Sequence, residues 1–119
     1  PRENRDVPPL NYDRVFRLKR RLGAYPVILN GGIVSLDAAK ESLSHVDCVM
    51  LGRAAYDTPE LLLNADPEFF GEAAPVQRIE EALELLIPYI EREIAKGERL
   101  HDITRHLLGA FRGKPGARA

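Results

Sequence analysis

Hydrophobic and polar positions divide the chain into two halves with different periods. In the first half, Tyr12, Val15, Phe16 and Leu22 recur at helical spacing, which predicts a helix over 11–22 with Gly23 as its C-cap. Residues 26–30, PVILN, and 46–51, VDCVML, are short apolar runs that each lead into glycine, as expected of strands buried on both faces. Between them Ser35 is placed to cap a helix whose apolar stripe is Leu36, Ala39 and Leu43, with Asp37 in the first turn. From TPELLLNAD onward every period is helical. That stretch predicts a short helix with Pro59 in its first turn. Val76, Ile79, Leu83, Leu86, Ile90 and Ile94 then predict a long amphipathic helix over about 75–96, bent at Pro88 and ended by Gly97. Leu100, Ile103, Leu107 and Phe111 mark a last helix that closes near Gly113. Residues 1–10, PRENRDVPPL, hold three prolines and read as an extended arm.

The order helix, strand, helix, strand implies two parallel strands joined by a crossover helix. Two buried parallel strands make an incomplete sheet. The expectation is therefore an α/β protein cut at both ends, or else a small domain that takes partner strands from a second copy.

Composition narrows the class without choosing among functions. The chain has 119 residues, 45% hydrophobic and 29% charged, in the range of ordinary globular protein, and no apolar run is long enough to cross a bilayer. One cysteine, Cys48, excludes an internal disulfide framework and fits a reducing cytoplasm. The net charge of −1 conceals an asymmetry. Residues 1–24 carry seven Lys/Arg against three Asp/Glu, residues 99–119 five against one, and residues 25–98 five against fourteen. Basic ends flanking an acidic body suit a polyanionic partner, although solvated helix faces give the same count.

The candidate chemistry lies in the glycine turns. Asn30-Gly31-Gly32 and Gly52-Arg53 each follow a strand and precede a helical segment. Backbone N–H groups in such turns can hold a phosphate, and in (β/α)8 barrels the loops after the last two strands often do so together. Arg53 would add a charge-assisted contact. His101 and His106, five residues apart, face different sides of a helix, and His45 stands alone, so no metal site is expected. The carboxylates of RIEEALELL and IEREIAKGE read as a solvated face with i,i+4 pairing to Arg and Lys.

Three stretches go further: ENRDVPPLNYDRVFRLKR, ILNGGIVSLDAAKESLSHVDCVMLGRAAYDTP and LHDITRHLLGAFRGKPGARA. In order and spacing they closely resemble the tRNA-dihydrouridine synthases, in particular the A-type subfamily. The last stretch is the most particular to that family. The resemblance implies FMN-dependent, NADPH-driven reduction of uridine at positions 20 and 20a of the tRNA D-loop, in the cytoplasm. It implies that residues 1–72 are the C-terminal portion of a TIM (β/α)8 barrel, with 25–57 its last two strand–helix units, and that 73–119 belong to an all-helical tRNA-binding domain. Asn30, Gly31, Gly32, Gly52 and Arg53 would hold the FMN phosphate, and Arg5 and Arg118 would contact tRNA. The family's proton-donating cysteine and its flavin-holding lysine and histidine come from the earlier barrel half, so no catalytic residue is expected in this chain. Cys48 is not that cysteine and reads as a buried packing thiol. The competing readings are a piece of another flavin- or phosphate-binding barrel, or a standalone RNA-binding module.

Overall fold

A computed structural model describes residues 10–115. After Gly52 the chain divides into two compact units.

The first unit begins with α1 (Tyr12–Leu22), capped by the Asn11 side chain, which accepts from the Arg14 N–H at 3.0 Å. Gly23, at φ 58°, closes the helix. Two three-residue strands follow, β1 (Ile28–Asn30) and β2 (Cys48–Met50), with α2 (Leu36–Leu43) between them. The strands pair in parallel, Ile28 opposite Cys48 and Asn30 opposite Met50. Ser35 caps α2 as expected, its Oγ accepting from the Ala38 N–H at 3.1 Å. Leu29, Ile33, Leu36, Ala39 and Val46 form the apolar core of this unit, with Ser42 buried beside them; Leu43, expected in the stripe, is half-buried.

Two expectations are corrected here. The strands are not buried on both faces: Leu29 is 3% exposed, whereas Ile28 is 64% and Met50 44% exposed. Side chains alternate along a strand, and α2 shields one face only. Cys48 shares the phase of Ile28 and Met50, so its thiol is exposed rather than buried. His45, which stands alone in the sequence, stacks on Phe16 with ring centroids 4.4 Å apart.

A polar hub fixes the connection into β1. The Lys19 ammonium lies 2.8 Å from the Asp47 carboxylate and donates to the carbonyls of Gly23 (2.7 Å) and Tyr25 (3.1 Å). The other Asp47 oxygen accepts from the Val27 N–H at 2.7 Å. The hydrogen bond from Lys19, then that from Val27, holds the Asp47 carboxyl below the ordinary aspartate range. A depressed carboxyl contributes stability above its unfolded-state pKa and loses it as pH falls through the folded-state value. Asp47→Asn is therefore expected to lower stability at neutral pH and to flatten the acid limb, checked by denaturant titrations from neutral to strongly acidic pH. An unchanged acid limb would refute the assignment.

The second unit is helical: α3 (Arg53–Asp57), a 3₁₀ segment (Pro59–Asn64), one π-type turn (Asp66–Phe70), α4 (Ile79–Ala95), α5 (Leu100–Thr104) and a 3₁₀ segment (Arg105–Phe111). Val76, Ile79, Leu83, Leu86 and Ile90 are buried or half-buried, matching the expected stripe, while Ile94 is exposed. The long helix starts at Ile79, four residues later than the spacing suggests, because Arg78 is extended (φ −136°, ψ 151°). Glu81 reaches back to accept from the Gln77 N–H and the Arg78 Nε–H, both at 2.9 Å, and so satisfies a donor ahead of the helix. The pairing on α4 is i,i+3, through Arg78–Glu81 and Glu93–Lys96, rather than i,i+4.

The last expected helix is broken after Thr104 into α and 3₁₀ parts. Ala110 is buried there. A Cβ on Gly109 would collide with the Tyr56 carbonyl oxygen and lie 2.8 Å from that of Asp57. The segment thus approaches the end of α3 backbone to backbone, which only glycine permits.

Candidate functional site

The glycine turn after β1 has a defined geometry. Gly31 has φ 129° and Gly32 φ 72°, both in the region that favours glycine. The Tyr12 hydroxyl donates to the Gly31 carbonyl at 2.7 Å, tying the first turn of α1 to this loop. A Cβ on Gly32 would collide with the Leu10 side chain and lie 2.8 Å from the Tyr12 hydroxyl. One on Gly31 would meet only Leu10 Cδ2, at 3.4 Å. Two glycines in succession are thus required locally: Gly31 by its backbone conformation, and Gly32 by conformation and by the space Leu10 and Tyr12 occupy.

The parallel register brings the two glycine turns to one end of the sheet. Asn30 and Met50 are partners, so Gly31 follows β1 and Gly52 follows β2 at the same edge. Asn30, Gly32 and Gly52 are exposed, and Gly31 is half-buried. Gly52 is less constrained: a Cβ there would meet only the flexible end of Met50, 3.3 Å away. Exposed backbone, no carboxylate between Asn30 and Ser35, and a helix start at Leu36 make a turn that an anion can approach. These features fit a phosphate group held by main-chain N–H groups. Arg53 opens α3 in the second unit and is exposed. Arg5 and Arg118 lie outside the described residues.

The basic C-terminal stretch is less available than its charge count suggests. Arg99 lies 3.6 Å from Asp102, Arg112 3.7 Å from Asp57, and Lys114 3.0 Å from Glu80 and 3.5 Å from Glu60. The spacing of charges along the sequence missed the pairs of Arg112 and Lys114 because Asp57, Glu60 and Glu80 come from elements distant in the chain. The Arg105 Nε–H donates to His106 Nε2 at 3.1 Å, and His106 Nδ1 lies 3.0 Å from the Tyr56 hydroxyl. Among the described residues no group of three or more His, Cys, Asp or Glu could hold a metal ion, and no helix is long and apolar enough to cross a membrane.

Comparison with known proteins adds the family. The profile of the Dihydrouridine synthase (Dus) family matches residues 1–119. A tRNA-dihydrouridine(20/20a) synthase of Yersinia pestis is 52% identical over 118 residues, 99% of this chain and 34% of its own length. Proteins of the same name from Vibrio parahaemolyticus and Shewanella oneidensis are 49% and 48% identical, over 99% and 100% of this chain and 36% of each relative. The chain belongs to the dihydrouridine synthase family, and it spans about a third of the length of these curated relatives.

Proposed function

We propose that this chain is the C-terminal portion of an A-type tRNA-dihydrouridine synthase, which reduces uridine at positions 20 and 20a of the tRNA D-loop in the cytoplasm. The observation that carries this reading is identity near 50% along the whole chain with proteins named for that activity. FMN, when bound, would pass hydride from NADPH to the uracil C5–C6 double bond.

The chain's own residues bind and position. Main-chain N–H groups around Asn30, Gly31, Gly32 and Gly52 would hold the FMN phosphate, and the Arg53 guanidinium would add charge. Tyr12 keeps the first of these turns in shape through the Gly31 carbonyl. The exposed strand face of Ile28, Cys48 and Met50 suits side chains that point into a barrel, where neighbouring strands would enclose them. On this reading 1–72 belong to the barrel and 73–119 to the helical tRNA-binding domain. The proton donor to the uracil ring lies on the earlier barrel half, and no residue of this chain takes that role.

Arg5 and Arg118 would grip tRNA, because guanidinium groups pair with phosphates bidentately and stack on unpaired bases. In the full-length enzyme, Arg5→Ala and Arg118→Ala are expected to weaken tRNA binding and to reduce its salt slope by about one each. Flavin content should stay normal. Unchanged affinity across a salt series in both variants would overturn this tRNA surface.

A further inference from the structure

The hydrogen bond from the Tyr12 hydroxyl to the Gly31 carbonyl, 2.7 Å long, does more than brace the glycine turn. That carbonyl belongs to the peptide joining Gly31 to Gly32. The peptide is trans and planar, so its N–H, that of Gly32, points to the side opposite Tyr12. Gly32 is exposed, and among the described residues its N–H meets no backbone acceptor. A peptide between two glycines turns over easily, because neither neighbour has a Cβ to resist the new φ and ψ. Turned over, it would present its carbonyl oxygen to an approaching phosphate, and the partial negative charge would repel the anion. The hydroxyl can accept as well as donate, but a phenol is the better donor, so the bond favours the orientation seen.

Tyr12 is itself held in place. It opens α1, whose cap Asn11 accepts from the Arg14 N–H. Its ring lies 6.2 Å from that of Phe16, one helical turn on, and Phe16 stacks on His45 in the link between α2 and β2. Gly32 leaves the hydroxyl its room, since a Cβ there would lie 2.8 Å from it.

We infer, on the reading of this turn as the flavin phosphate site, that Tyr12 is a positioning residue that sets which pole of the Gly31–Gly32 peptide faces the phosphate. It holds the N–H, not the carbonyl, toward the anion, and the turn is therefore ready before flavin arrives. Helix α1 thereby takes part in choosing a phosphorylated flavin over an unphosphorylated one, without touching either.

The test is a pair of titrations of the full-length enzyme freed of flavin, one with FMN and one with riboflavin, which lacks the phosphate. Tyr12→Phe keeps the ring beside Phe16 and removes only the hydroxyl. It is expected to weaken FMN binding about three- to tenfold, the range for one lost hydrogen bond, and to leave riboflavin affinity unchanged. A tyrosine that only packs the unit would weaken both flavins alike or neither, and either result would overturn the lock. The wild-type enzyme tests the reading beneath: equal affinity for FMN and riboflavin would overturn the phosphate turn and the lock with it. A wild-type preference for FMN that Tyr12→Phe retains in full would overturn the lock alone.

Discussion

Gly109→Ala should destabilise the second unit by about 2–3 kcal/mol, the upper part of the roughly 1–3 kcal/mol that forcing extra atoms into a packed site costs. The added methyl meets the carbonyl groups of Tyr56 and Asp57, which are backbone and cannot rotate away. The 3₁₀ segment would have to lift from α3, drawing Ala110 out of its buried position and loosening the contact between Tyr56 and His106. A thermal midpoint lower by roughly 10 °C or more is the expected readout for a unit of this size. Gly113→Ala is the control. Gly113 has φ 79° but open space around it, so only the backbone term of about 1 kcal/mol applies. A Gly109 variant no less stable than the Gly113 variant would contradict the close approach.

Gly31→Val in the full-length enzyme is expected to abolish most flavin binding. Gly31 adopts φ 129°, a conformation nearly closed to residues with a side chain and strained by about 1–3 kcal/mol when one is forced into it. Relief of that strain rotates the peptide whose carbonyl accepts from Tyr12, and the neighbouring N–H groups turn with it. A branched side chain would also stand where the proposed phosphate approaches the main chain. The measurement is the flavin-to-protein ratio of the purified variant, taken well below its melting temperature with circular dichroism as the check on folding. A folded variant with full flavin occupancy would refute the phosphate turn.

How far the sequence carried these conclusions differs from element to element. Ser35 as the cap of α2, the Leu36 and Ala39 stripe and the parallel strand pair were legible because caps and periodicity are local properties. The glycine pair marked the turn correctly, but its cause was hidden: Leu10 and Tyr12 lie some twenty positions earlier in the chain. Cys48 was read as buried because an apolar run does not say which face is covered, and only the packing of α2 decides that. The start of α4 was misplaced because Val76 continues the helical stripe, while the extended Arg78 and the backward reach of Glu81 are not periodic features. The pairing of Lys114 with Glu60 and Glu80 was likewise invisible, since it depends on tertiary placement.

The most direct test of the proposed function is site-resolved detection of dihydrouridine in tRNA. The full-length enzyme is incubated with unmodified tRNA carrying uridine at positions 20 and 20a, with FMN and NADPH supplied. NADPH-dependent conversion of those two uridines is expected, with the other D-loop uridines left intact. Conversion at different positions, or none by a folded, flavin-loaded enzyme, would contradict it.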